Sequence, residues 1–152
     1  MFKIETIKKG AEVFFSDGSH HSGNFFVLPR SPSRAGGELI SELLNGDRTF
    51  VPLELAEGQV VLLQKGCVVK VLLEGNEVNR DLPYQKKIEA QVCFLSGENM
   101  DGRVYLDLPE SHSRLSDFLN DSKQFFCLEA DDKEYLINSR FVKMVRPSLS
   151  EL

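Results

Sequence analysis

Two stretches of the chain, 11–73 and 90–147, carry the same landmarks in the same order. Ala11, Val13, Phe15 and Gly18 match Ala90, Val92, Phe94 and Gly97, and Gly23 then matches Gly102. The string LPRSPSR at 28–34 matches LPESHSR at 108–114, and SELLN at 41–45 matches SDFLN at 116–120. Phe50, Leu53 and Glu54 match Phe125, Leu128 and Glu129, and Val68 and Val71 match Val142 and Val145. Chance likeness between two β-rich stretches would share hydrophobicity but not this order of Gly, Leu-Pro, Ser and Asn. The repeat therefore reads as a tandem duplication, and it fixes the architecture before any single element does.

Within each unit the residue pattern gives five strands and one helix. Val and Phe dominate 12–16 and 90–95, as they do in strands, and Asp17-Gly18 and Ser96-Gly97 are turn signals that close a hairpin. A second strand is expected over 22–28 and 100–108, where Arg103, Tyr105 and Asp107 alternate with apolar neighbours. Gly23 and Gly102, near its start, would permit a bend or bulge. Ser41 and Ser116 are expected to cap a short helix, with an acid in its first turn and Asn45 or Asn120 ending it in a left-handed conformation. In the first unit that helix extends over 37–45. Three strands follow, at 49–55, 59–64 and 67–73, then at 124–129, 134–138 and 141–145, the last two of each set joined by tight turns.

The expected fold is therefore mainly β with short helices: a tandem duplication of a five-stranded β-barrel or roll, β-β-α-β-β-β. The first repeat spans 1–75, a polar linker 76–88, and the second repeat 89–152. Units of this size bury thin cores and are expected to lean on each other.

A five-stranded meander with a Gly in its second strand and a closing pair of strands resembles an Sm-like or SH3-like small barrel. Gly102, the Asp117–Asn120 stretch and 137–145 carry the resemblance, although Ser139-Arg140 and Lys65-Gly66 stand where the Sm-like pattern has Arg-Gly. The resemblance implies an RNA-binding alternative in which Asn120 and Arg140 contact nucleic acid. The string RLSDFLN at 114–120, followed by Phe125, is similar to a motif of a family of bacterial domains of unknown function, and that likeness implies no activity.

Charge argues against nucleic acid as the main partner. The net charge is −5; residues 1–79 hold eight basic and ten acidic side chains and residues 80–152 hold ten and thirteen, which sum to the chain's 18 and 23. Neither half has the basic footprint of a general nucleic-acid binder. No apolar run approaches the roughly twenty residues that a membrane-spanning helix needs, and 1–10 lack a signal-peptide core. A cytoplasmic protein with no membrane partner is expected. Cys67, Cys93 and Cys127 sit among β-formers without a C-x-x-C spacing, which reads as reduced, mostly buried thiols rather than a metal site.

Few residues suggest chemistry. Ser31, Ser33 and Arg34, with Ser111, Ser113 and Arg114, form a Ser-x-Ser-Arg loop in each unit. Arg beside hydroxyls can hold a small anionic ligand. The simpler expectation is structural: Arg pairs with the helix acid, Glu42 or Asp117, while a serine caps the helix. His20-His21 and Asp17 could approach a metal, but adjacent residues of an extended chain point in opposite directions, so exposed loop histidines are expected. No nucleophile motif, phosphate loop or metalloprotease signature is present. No catalytic residue, cofactor or metal is therefore assigned. The expected function is a non-enzymatic binding module with a protein partner or a second copy of itself, with the RNA-binding reading and an enzyme working in the cleft between repeats as alternatives.

Overall fold

The computed structural model describes residues 5–78, 86–106, 115–121 and 123–148. The strands in the first half are β1 (Ile7–Phe15), β2 (His20–Val27), β3 (Phe50–Leu55), β4 (Val60–Gln64) and β5 (Val68–Leu73), with helix α1 (Ile40–Leu44) between β2 and β3. The second half holds β6 (Lys86–Phe94), β7 (Asn99–Leu106), helix α2 (Leu115–Asn120), β8 (Phe125–Ala130), β9 (Lys133–Asn138) and β10 (Val142–Pro147). Short 3-10 turns at Lys65–Cys67 and Ser139–Phe141 join the last two strands of each half.

All ten strands form one antiparallel sheet in the order β10-β6-β7-β8-β9-β5-β1-β2-β3-β4. Its ends do not pair with each other. The first half contributes β5-β1-β2-β3-β4 and the second β10-β6-β7-β8-β9, so each half runs through its strands in the same sequence. The registers agree as well. Val13 lies opposite His21 as Val92 lies opposite Met100, and Leu53 lies opposite Val61 as Leu128 lies opposite Tyr135. A register shift falls between Phe14 and Phe15 against β5, and another between Val142 and Met144 against β6.

Period-two alternation sends every second side chain inward. One buried cluster gathers Val13, Phe25, Leu44, Leu53 and Val71; a second gathers Val92, Phe94, Val104, Leu128 and Ile137. The halves meet where β5 pairs with β9, with Lys70 opposite Ile137, Val71 opposite Leu136 and Leu72 opposite Tyr135. Strands at this joint serve both cores, one through each face. Phe125 and Leu136 enter the first cluster, while their neighbours Phe126 and Ile137 enter the second. Val69 of β5 packs on the second cluster from the other side.

Gly23 and Gly102 act differently from expectation. The register shifts lie elsewhere, and no shift occurs at either glycine. A Cβ on Gly23 would lie 2.4 Å from the Glu54 carbonyl oxygen, and one on Gly102 would lie 2.4 Å from that of Glu129. The missing side chain lets the next strand's backbone close in.

The first helix is also shorter than the sequence suggests. α1 starts at Ile40, so Ser41 lies inside it and Leu39 is its N-cap. The capping work falls to acids: Glu42 Oε1 accepts from the Leu39 amide at 3.0 Å, and the Glu77 carboxylate accepts from the Ile40 and Ser41 amides at 2.5 and 3.1 Å. Asn45 closes α1 at φ −90°, outside the left-handed region. Of the 76–88 segment, Glu77 and Val78 are pinned, their amides donating to Glu134 Oε1 at 2.7 and 3.1 Å; 79–85 lie outside the described residues.

Gly23→Ala and Gly102→Ala are each expected to destabilise by about 1–3 kcal/mol, as overpacking does. Gly75→Ala, with open space at its Cβ position, is expected to change little. Urea unfolding of the three variants checks the contrast, and equal effects at all three would refute the close-approach reading.

Candidate interaction surface

The Ser-x-Ser-Arg loop of the first half folds onto one carboxylate. Ser31 and Ser33 hydroxyls donate to Glu42 Oε2 at 2.5 and 2.8 Å, and Arg34 Nε donates to Glu42 Oε1 at 2.9 Å. The rest of the Arg34 guanidinium is spent on the carbonyls of Ala35 and Gly37. Burial alone would raise the Glu42 pKa, but the bonds from Ser31, Leu39, Ser33 and Arg34 outweigh it and hold the carboxyl at about 2. The cluster is a lock between the loop and α1, made through the helix acid rather than through a serine cap. Its described donors point at Glu42 and at backbone carbonyls, not outward at a ligand. The matching residues Ser111, Ser113 and Arg114, and His112, lie outside the described residues.

Asn120 and Arg140 occupy separate settings. Asn120 ends α2 and its Nδ2 donates to the Ser116 carbonyl at 2.8 Å. Arg140 lies in the 3-10 turn before β10 and lines a groove with Arg48, Lys65 and Asp47. Lys65 in that groove is buried, and its Nζ donates to the Gly46 carbonyl at 2.7 Å. Desolvation lowers its pKa, partly opposed by Asp47. Among the described residues, the groove at Arg140 does not include Asn120.

The two histidines part company, as adjacent strand residues do. His20 stacks on Phe14 and its Nδ1 lies 2.9 Å from Glu12 Oε2, while His21 packs edge-on against Phe15. Among the described residues no group of three or more His, Cys, Asp or Glu side chains is placed to hold a metal ion, and no helix is long and apolar enough to cross a membrane. Cys93 is buried and Cys127 half-buried, but Cys67 is exposed, contrary to the expectation of mostly buried thiols. Cys67 is the last residue of the 3-10 turn before β5, and its Sγ lies 3.2 Å from Gln64 Oε1.

The cleft between the halves is lined by Arg34, Glu42, Glu77, Lys123 and Phe125, among others. Its acids are already engaged: Glu42 by the loop and Glu77 by the amides of α1.

The unsatisfied surface lies at the two ends of the sheet instead. Among the described residues, β4 and β10 each pair on one side only. An edge strand presents a row of free backbone donors and acceptors to another chain. Large exposed apolar side chains gather there: Phe50 at 53%, Val60 at 52% and Leu62 at 68% on the β3–β4 side, and Met144 at 40% on β10. An apolar groove of about 490 Å³ runs beside β4, with Phe15, Val61, Leu62 and His21 in its walls. The sequence signal for this edge is the run of apolar residues in β4, Val60-Val-Leu-Leu63, which lacks the polar alternation of a strand with one wet face.

Comparison with family models, curated protein sequences and solved structures returns no significant match to the chain.

The Glu42 lock gives a signed pH dependence. Its carboxyl is depressed from 4.5 to about 2, so its contribution is fully present above about pH 4.5 and is lost as pH falls toward 2. Glu42→Gln is expected to cost about 2 kcal/mol at pH 7, the scale of hydrogen bonds to a charged group. The difference in thermal midpoint between wild type and variant should shrink between pH 4.5 and 2, and a constant difference across that range would refute the lock.

Proposed function

We propose that the chain is a tandem duplication of one five-stranded barrel-like or roll unit, of Sm-like or SH3-like type, working as a non-enzymatic protein-interaction module. The landmark repeat in sequence and the matching strand order and register of the two halves support the duplication. Three free cysteines suit a reducing, cytoplasmic setting. The observation that carries the interaction reading is the apolar, unpaired edge at β4. Phe50, Val60 and Leu62 hold about half or more of their surface open, beside a strand whose outer backbone is unpaired among the described residues. Natural sheets usually blunt such edges with charge, proline or a covering segment. An apolar edge left open is a place for another chain to add a strand.

A photo-activated cross-linker in place of Leu62 tests this in the cell. It is expected to yield covalent adducts with protein, whereas the same group in place of Glu57, on the exposed β3–β4 turn, yields few. No adduct at position 62 would refute the interaction reading. A salt-sensitive affinity for single-stranded RNA that Arg140→Ala removes would replace it with the nucleic-acid reading.

A further inference from the structure

The joint between the halves has a second, unfilled version at the ends of the sheet. In the inner joint β5 supplies Lys70, whose Nζ lies 2.5 Å from Glu98 Oε1 and 3.7 Å from Met100 Sδ. It also sits 5.7 Å from the Phe94 ring centroid and 5.8 Å from that of Tyr135. The strand registers place Phe15, Ser19, His21 and Val61 of the first half where the second half has Phe94, Glu98, Met100 and Tyr135. Those four first-half residues all line the open apolar groove beside β4. The residue that holds Lys70's place in β10 is Met144.

The chemistry changes in step on both sides. Where the inner joint inserts a cation, its receptor offers a carboxylate and two aromatic rings that attract it. Where the outer strand offers a thioether, the empty receptor has Ser19 in place of the carboxylate and Val61 in place of the tyrosine. Met144 is an unbranched apolar side chain that is 40% exposed in the chain alone, and such a side chain fills irregular apolar space well.

Burial follows the same division. Phe125 and Leu136 are each 1% exposed because they enter the core of the neighbouring half; their counterparts Phe50 and Leu62 are 53% and 68% exposed. Leu44 of α1 is fully buried, while its counterpart Leu119 of α2 is half-buried. Asn45 holds the start of β8 with two bonds, Nδ2 to the Phe125 carbonyl at 3.0 Å and the Phe125 amide to Oδ1 at 2.8 Å. Asn120, its counterpart, stays exposed on α2.

From this repetition we infer that a second copy of this chain docks head to tail, β10 of one chain adding to β4 of the next in the register of the inner joint. The inference rests on the interaction reading above and names its partner. Met144 then lies opposite Leu63, Val145 opposite Leu62 and Arg146 opposite Val61. Phe50 and Leu62 enter the second core of the neighbouring copy, and Asn120 takes the backbone of its Phe50. Such a contact is heterologous: it uses two different surfaces, so it builds a closed ring if the rotation per chain closes and an open filament if it does not.

Two edge variants, alone and mixed, test it by light scattering after size exclusion. Wild type is expected to run at a multiple of the 17.2 kDa chain mass. Leu62→Asp and Met144→Asp are each expected to run as monomers with near wild-type thermal midpoints, both sites being surface-exposed. Mixed in equal amounts, they should form a one-to-one pair, because the intact β10 of the first still meets the intact β4 of the second. A monomeric wild type overturns the proposal. So does an assembly that Met144→Asp leaves intact, which would mean like-with-like pairing of β4, and so does a mixture that forms no pair. If wild type is monomeric while the cross-linker at position 62 still captures another protein, the head-to-tail inference falls and the interaction reading stands.

Discussion

The pairing of β5 with β9 is the contact on which the rest of the structure depends. It spans only three opposed residue pairs, yet both cores close on it. Leu136 and Phe125 fill the first core from the second half, and Val69 of the first half packs on the second. The buried Asn138 fixes the position of β9, its Nδ2 donating to the Val68 carbonyl at 2.8 Å and the Lys65 carbonyl at 3.3 Å. A buried amide that loses such partners keeps its full desolvation cost, so a slip of one residue here would flip side chains between cores and orphan Asn138 as well. Two thin cores become one continuous structure because neither is complete without residues of the other.

Around that joint, carboxylates tie down the irregular backbone. Glu134 is buried and receives the amides of Glu77 and Val78. Glu77 in turn receives the first amides of α1, and Glu42 gathers the Ser31–Arg34 loop. A helix of five residues has too few internal bonds to stand alone. α1 persists because acids on both sides satisfy its N-terminal donors and because Ile40, Leu43 and Leu44 bury against the sheet. The loop motif that looks most like a ligand site in sequence is thus spent on holding this helix.

Much of the fold could be read from the residues. Alternation in β7 and the Gly-marked turns located the strands, although β1 and β6 begin at Ile7 and Lys86, well before the expected 12 and 90, and the repeat of landmarks anticipated the shared element order of the halves. What the sequence could not expose is which half's core a side chain joins. Phe50 and Phe125 occupy matching positions in matching strings, and only the neighbour across the sheet makes one buried and the other exposed. The same holds for Asn45 and Asn120, which both end their helices. Asn45 also bonds to a strand eighty residues away. The N-terminal cap of α1 is only half legible locally, because Glu42 lies in its own first turn but Glu77, which takes the Ile40 and Ser41 amides, comes from far along the chain. Such long-range partners leave no local pattern.

If the ends of the sheet are an unfilled copy of its centre, amide hydrogen exchange shows it residue by residue. β5 and β9, paired on both sides, should stay protected at every protein concentration. The amides of β4 and β10 should exchange fast when dilute and become protected together as concentration rises. Protection appearing on only one of these two strands, or on neither under conditions where the chain is assembled, would contradict the account.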